Sequence, residues 1–231
     1  MKNAIAIITA RGGSKRIPKK NIKVFCGKPI LAYSIQAALD SGLFETVMVS
    51  TDSEEIAEVA RRYGAAVPFM RSEKTSDDFA TTADVLLEVL SEYEKRGKTF
   101  EEMVCIYPTA PFVTAEKLQA AAKYLESGTA GMVMPVIPFS YPPQRGYVIK
   151  DEYLEMKWKE NYSARSQDLE KLYHDAGQFY FYKVAEYKKK SGKITEGIFP
   201  MILDEMEVQD IDNETDWKLA ELKYQLLFGV K

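Results

Sequence analysis

The sequence predicts a three-layer α/β fold, in which a mostly parallel sheet is covered by helices on both faces and carries one small β-rich insertion. Three features of the 231-residue chain predict it. Ala4–Thr9 reads AIAIIT, a continuous apolar run that suits a strand buried on both faces. Strand-like and helix-like segments then alternate along most of the chain, which favours parallel strands joined by helical crossovers. The alternation breaks once, over about 138–168, where Pro142, Pro143 and aromatic residues accompany short β-like pieces.

The elements follow in order. After the first strand, residues 11–23 are polar, Gly-rich and basic. Residues 30–39 carry apolar side chains at helical spacing and end near Gly42. Thr46–Ser50 (TVMVS) reads as a strand, and 54–63 as a helix capped by Asp52 or Ser53 and ended by Gly64. A short strand is expected at 67–70. Residues 81–95 form an amphipathic helix with Leu86, Val89, Leu90 and Tyr93 on one face. A core strand at 103–107 is stopped by Pro108, then come a helix at 115–125 and a strand at 131–136. Beyond the insertion, 177–182 reads as strand, 184–191 as helix, and 198–203 and 207–211 as strands. The last helix, 214–227, is capped by Asp212 or Asn213. No repeat or long linker interrupts the chain, so 1–231 reads as a single domain with an inserted lobe at about 138–168.

Composition excludes several classes. Lys and Arg number 31 against 34 Asp and Glu, a net charge of −3 that argues against a nucleic-acid binder. Two distant cysteines, Cys26 and Cys105, and one histidine, His174, cannot build a structural zinc site or a disulfide scaffold. Both cysteines read as small core residues, in keeping with a cytoplasmic protein. No apolar run approaches a membrane span. Met1, Lys2 and Asn3 lead straight into the first strand without a signal-peptide pattern.

Chemistry concentrates in three stretches. The first is ARGGSKRIPKKN at 10–21, directly after the buried strand. Its glycine pair allows backbone N–H groups of Gly12, Gly13 and Ser14 to converge on phosphate oxygens. Arg11, Lys15, Arg16, Lys19 and Lys20 surround them with positive charge, at the strand end where open α/β sheets bind ligands. The stretch is neither GxGxxG nor GxxxxGK[ST], so it supports neither a dinucleotide dehydrogenase nor a P-loop kinase. On composition alone, a solvated basic loop is an equal alternative. The second stretch holds Asp210 and Asp212, which alternate about Ile211 and share one face of the expected strand. A cation between them would relieve their repulsion, and Mg²⁺ favours carboxylates combined with phosphate oxygens. Asp52, Asp77 and Asp78 offer rival pairs, and Asp212 could instead be a helix cap. The third stretch, 162–182, holds Arg165, whose guanidinium suits a carboxylate ligand. His174 lies in the same stretch and reads as a structural, hydrogen-bonded histidine, with no nucleophile-elbow motif beside it.

Residues 10–21, STDSEEIAEVA at 50–60, Arg71 followed by Ser76, Asp77 and Thr82, YPTAPF at 107–112 and VQDIDNETDW at 208–217 occur in one order. Together they resemble the acylneuraminate cytidylyltransferases among the sugar nucleotidyltransferases, over nearly the whole chain. The resemblance implies a Rossmann-like nucleotidyltransferase domain that joins CMP from CTP to a nonulosonic acid and releases pyrophosphate. It further implies that the lobe is a dimerisation lobe and the protein a homodimer. Ala10 to Ser14 and Lys20 would embrace the triphosphate, and Asn21, Arg71, Asp77 and Thr82 the cytidine. Asp210 and Asp212 would bind Mg²⁺, with Mn²⁺ as the alternative, and with Arg11 and Lys20 would form the catalytic set. Tyr107, Arg165 and Gln178 would meet the sugar acid, with Phe179 and Tyr180 flanking it. The stretch at 162–182 most resembles the branch acting on pseudaminic acid. Neuraminate members carry Gln where this chain has Tyr107. Sister enzymes for neuraminic, legionaminic or 3-deoxy-octulosonic acid share the nucleotide motifs. A non-catalytic CTP- or sugar-binding module would need no metal pair, so Asp210 and Asp212 count against it.

Overall fold

A computed structural model describes residues 3–128 and 130–229. Met1 and Lys2, part of the N-terminal pattern considered above, lie outside the described residues. β1 (Ala4–Thr9) leads into the basic loop, then a hairpin of β2 (Val24–Phe25) and β3 (Lys28–Pro29). α1 (Ile30–Asp40), β4 (Thr46–Ser50), α2 (Glu54–Arg62), α3 (Thr82–Lys95), β5 (Glu102–Ile106), α4 (Ala115–Glu126) and β6 (Met132–Pro138) follow. The inserted stretch holds a hairpin of β7 (Tyr147–Lys150) and β8 (Tyr153–Met156). β9 (Tyr173–Asp175), β10 (Phe179–Lys183), α5 (Val184–Lys189), β11 (Ile198–Ile202) and α6 (Glu214–Phe228) complete the chain.

Seven strands form one sheet in the order β11-β6-β10-β5-β1-β4, with β9 pairing with β6. β1 lies between the edge strand β4 and β5 and is parallel to both, Ile7 standing opposite Met48 and Cys105. β11 is parallel to β6, whereas β10 runs antiparallel between β5 and β6. The sheet is therefore mixed but mostly parallel. Alternation along β1 sends Ala6 and Ile8 to one core with Leu31, Ile35 and Leu118, and Ile5 and Ile7 to the other with Leu86, Leu90 and Tyr187. Helices α1, α2 and α4 supply the first core; α3 and α5 supply the second.

A third, smaller core governs the site. Ile17 of the basic loop, Ile211, Trp217 of α6 and Phe112 are all buried together with Phe25 and Tyr33. Burying such side chains contributes about 1.5–3 kcal/mol each, enough to hold otherwise polar loops in register. The loop after β1 and the segment before α6 are thereby joined although nearly two hundred residues separate them in sequence.

Several expectations need correction. Residues 67–70 form no strand; only Ala66 bridges to Met48, and Pro68 lacks the N–H a ladder would need. Residues 207–211 form no strand either: a 3₁₀ turn occupies Glu205–Glu207, and the extended segment after it pairs with no neighbour. The alternation about Ile211 survives without the ladder, because Ile211 is buried in the third core while Asp210 and Asp212 remain accessible. Asp52 is not a helix cap; Ser53 takes the N-cap position of α2 without a side-chain bond. Asn213, not Asp212, caps α6, in a reciprocal pair with Asp216. Cys105 is a core residue, but Cys26 is half-buried in the β2–β3 turn, where it and Gly27 have φ of 41° and 98°. That two-residue turn needs positive φ at both positions, so Cys26 serves the turn while packing against the edge of the third core. β9 escapes sequence reading because Tyr173–Asp175 is polar and short.

Candidate active site

A cleft of about 540 Å³ opens at the carboxyl ends of β1, β4 and β5. It is lined by Arg11, Ser14, Lys20, Asn21, Arg71, Asp77, Thr82, Tyr107, Asp210 and Asp212 among the expected residues. Parallel strands converge their carboxyl ends on one rim, so four segments far apart in sequence meet there.

One wall is cationic, and each cation is matched by an internal partner. Arg11 Nη1 donates to Asp78 Oδ1 at 3.1 Å and to the Asp77 carbonyl at 3.2 Å. Lys15 Nζ pairs with Asp78 Oδ2 at 2.5 Å, and its short hydrogen bond is the main cause holding the Asp78 carboxyl below its ordinary range. Arg16 Nη2 pairs with Asp212 Oδ1 at 2.7 Å. Lys20 Nζ donates to the Ile211 carbonyl at 2.7 Å. Burial pushes the Lys20 ammonium below its ordinary value, and the nearby Asp212 and Asp210 charges pull it back up. Lys19 turns away to Glu55 of α2.

Other residues of the cleft are more enclosed. Arg71 is buried, with Nη2 on the Ser50 carbonyl at 2.7 Å and Nε on Ser50 Oγ at 3.1 Å. Burial lowers its pKa, and Asp52 and Glu88 offset part of that. Asn21 is buried and its amide donates to the Arg11 carbonyl at 2.8 Å, fixing the loop's entry. Thr82 opens α3, whose N-terminus is closed by a Thr81–Asp84 capping box.

Other expected residues lie elsewhere. Ala10 is buried, its N–H continuing the sheet to the Ser50 carbonyl at 3.0 Å. The Gly12 N–H donates to Asp52 Oδ1 at 2.7 Å, and the Ser14 N–H to the Gly12 carbonyl at 3.0 Å. Two of the three expected loop amides thus bond within the protein, one to a carboxylate and one in a tight turn. Arg165 is not in the cleft: it is exposed on the inserted stretch and gripped by Asp168 through contacts of 2.7 and 3.1 Å. Gln178 is buried outside the cleft lining, its amide donating to the Glu207 carbonyl at 2.6 Å, so it braces the segment that carries Asp210. Phe179 packs in the first core, on the face opposite Tyr180. His174 is exposed, with Nδ1 on the Asp175 carbonyl at 2.9 Å and its ring 4.8 Å from Phe139. Sequence reasoning missed Asp78 as the partner of Arg11 and Lys15. Its adjacency to Asp77 was visible, but nothing local showed which loop it would face.

The residues present fit a hard divalent cation. Among the described residues the Asp210 carboxylate has no hydrogen bond or ion pair, and no group of three or more His, Cys, Asp or Glu gathers into a complete protein cage. Two carboxylates with the remaining positions left to phosphate and water are the usual donor set for Mg²⁺.

A cleft of this size at the strand ends, cationic on one wall with two carboxylates beside it, is that of an α/β nucleotidyltransferase. The chain belongs to the cytidylyltransferase family, whose model matches residues 5–220. It is 38% identical over 227 residues to the pseudaminic acid cytidylyltransferase of Campylobacter jejuni, covering 98% of this chain and 97% of that one. It is 32% identical over 233 residues to the CMP-N,N'-diacetyllegionaminic acid synthase of Legionella pneumophila, covering 96% of each. The fold matches a CMP:2-keto-3-deoxy-manno-octonic acid synthetase solved with CTP, with TM-score 0.69, 16% identity and coverage of 98% and 99%. The chain is therefore a nucleotidyltransferase enzyme.

Proposed function

We propose that this enzyme transfers CMP from CTP to a nonulosonic acid, with pseudaminic acid preferred, and releases pyrophosphate. The observation that carries this is the junction of Lys20 with the Asp210–Asp212 segment, which unites a phosphate-type loop and a carboxylate pair in one cleft. The likeness to the Campylobacter jejuni enzyme, over almost the full length of both chains, supports the choice of sugar acid.

In this mechanism the anomeric hydroxyl of the sugar acid attacks the α-phosphorus of CTP. Its oxygen forms the new P–O bond, its proton passes to solvent, and the bond to the β-phosphate oxygen breaks. Such chemistry is mostly positioning and charge stabilisation. Arg11 and Lys20 offset charge developing on the departing pyrophosphate. Asn21, Arg71, Asp77 and Thr82 hold the cytidine, and Tyr107 faces the sugar acid. Asp210 and Asp212 would hold Mg²⁺, or Mn²⁺ in its place; when bound, the ion orients the phosphates and polarises the attacked phosphorus. Asp78 pairs with both Arg11 and Lys15, and Arg16 pairs with Asp212. Arg11 and Lys15 would release Asp78 to hold the triphosphate, and Asp212 would release Arg16 to serve as a metal ligand.

A cytoplasmic homodimer completes the proposal. The β7–β8 hairpin leaves Ile149, Tyr153 and Leu154 76%, 77% and 68% exposed, an apolar surface suited to a second copy of the chain. Pyrophosphate release tests the activity, with CTP, Mg²⁺ and separate pseudaminic, legionaminic, neuraminic and 3-deoxy-octulosonic acids. Pseudaminic acid is expected to give the highest kcat/KM. Release with none of the four overturns the assignment.

A further inference from the structure

The segment that carries Asp210 and Asp212 belongs to no strand, yet its carbonyls are taken. Lys223 of α6 donates through Nζ to the Glu205 carbonyl at 3.1 Å and to the Val208 carbonyl at 2.8 Å. Gln178, the residue before β10, donates through its amide to the Glu207 carbonyl at 2.6 Å. Lys117 of α4 pairs with Glu207 Oε1 at 3.1 Å and donates to the Phe112 carbonyl at 2.9 Å. Beyond Asp210, the Ile211 carbonyl accepts from the Lys20 ammonium. In a sheet, backbone N–H groups of a neighbouring strand would fill these places. Here side chains from α4, α6, the start of β10 and the basic loop fill them.

Asp210 hangs between these anchors. Among the described residues its carboxylate has no hydrogen bond or ion pair, so its place follows the backbone on either side. That backbone is held upstream at Glu207 and Val208 and downstream at Ile211. Val208 is also buried with Ile137, Ala176 and Leu203, which fixes the upstream end from the core side. Mg²⁺ demands near-ideal octahedral geometry at about 2.0–2.1 Å, so a carboxylate whose backbone drifts holds it less well. Gln178 Oε1 is buried with no hydrogen-bond partner among the described residues, so this glutamine serves the segment through its N–H alone.

We propose that Lys223 and Gln178 are positioning residues that set Mg²⁺ affinity by holding the 205–208 turn, and through it Asp210, in place beside Asp212. This rests on the reading above that Asp210 and Asp212 hold the metal. The sign of the effect separates bracing from charge. Lys223 and Asp210 line one cavity of about 240 Å³. A cation there opposes a metal ion, so by charge alone its removal would tighten Mg²⁺ binding. Loss of a brace weakens it.

The test is calorimetric titration of Mg²⁺ in the presence of CTP for the wild type, Lys223→Met, Lys223→Arg and Gln178→Met. Hydrogen exchange of each metal-free protein and CTP binding without metal accompany it. Lys223→Met and Gln178→Met should each weaken Mg²⁺ binding about tenfold, the lower end of what loss of a supporting partner costs a metal site. Lys223→Arg keeps the donors and should stay within about threefold of the wild type. Metal-free CTP binding should stay within about twofold throughout. In Lys223→Met and Gln178→Met, peptides covering 205–212 should exchange faster before any metal is added, while those of β1 and β5 keep their wild-type protection. If the wild type itself gives no Mg²⁺ signal with CTP, the metal reading of Asp210 and Asp212 falls and the proposal with it. If the wild type binds Mg²⁺ and Lys223→Met and Gln178→Met bind it as tightly, or if Lys223→Met binds it more tightly, bracing is overturned while the metal reading stands. Loss of protection in β1 and β5, or of CTP binding, as large as the loss of Mg²⁺ binding would show a general role in the fold and equally overturn it.

Discussion

The Lys20 ammonium donates a 2.7 Å hydrogen bond to the carbonyl of Ile211, the residue between Asp210 and Asp212. Ile211 in turn is 1% exposed and packs with Ile17 from the same loop as Lys20. A polar bond on the cleft side and an apolar contact on the core side thus hold two segments together. Lys20 serves two purposes in this arrangement: it supplies a charge to the cleft and it sets the position of both carboxylates.

Replacing Lys20 with Met should lower turnover and leave the fold intact. Loss of one preorganised charge-stabilising donor typically lowers turnover about 10²–10³-fold. Lys20→Met keeps the aliphatic stem and removes a partly desolvated ammonium, so the melting temperature should stay near that of the wild type. Steady-state kinetics with CTP and the sugar acid, beside a thermal melt, measure both. Turnover near the wild-type value would remove Lys20 from the catalytic set.

Asp78 bridges Arg11 and Lys15 where the triphosphate is proposed to bind. Asp78→Asn removes that competing negative charge. The KM for CTP should fall severalfold at low ionic strength, and the difference should shrink as salt screens these exposed charges. A salt series of CTP KM values for the two proteins checks this. An unchanged KM at every salt concentration contradicts a competing role for Asp78.

The two metal-segment carboxylates should differ in stability and agree in function. Among the described residues Asp210 has no ion pair, whereas Asp212 is engaged by Arg16 at 2.7 Å. Asp210→Asn relieves repulsion and should leave the melting temperature equal to or above that of the wild type. Asp212→Asn loses a surface ion pair, a small effect at most. Both variants should lose Mg²⁺-dependent turnover, and calorimetric titration of Mg²⁺ in the presence of CTP should lose its binding signal. Wild-type activity that survives EDTA would show that the carboxylates serve another purpose.

On the β7–β8 hairpin the exposed aliphatic side chains Ile149 and Leu154 stand opposite each other in register. In a homodimer formed there, Ile149→Asp with Leu154→Asp would bury charge without partners. Light scattering should give twice 26.2 kDa for the wild type and 26.2 kDa for the double variant. A wild-type mass of 26.2 kDa at micromolar concentration would rule out this interface.

Local pattern carried most of the fold. The apolar run of β1, the caps and glycine stops of the helices, and the strand–helix alternation are properties of neighbouring residues, so they were readable from the chain. The basic loop at 10–21 and the pair Asp210 and Asp212 were legible for the same reason: charge type and spacing of two are local facts. Partnership was not local. Nothing near residue 78 announces that it faces Arg11, nor does anything near Gly12 announce that Asp52 takes its N–H. Arg165 looked suited to a ligand carboxylate, yet Asp168, three residues on, satisfies its guanidinium first. Gln178 looked available and is buried against Glu207. The sequence by itself determined which elements form and which residue types could bind phosphate and metal, because dihedral preference and periodicity act over a few residues. Only the tertiary structure decided which of those residues share the cleft. Packing of Ile17 against Ile211 and the pairing of β10 beside β5 bring together atoms that the chain keeps far apart, and a group already bonded inside the protein must exchange that partner before it can hold a ligand.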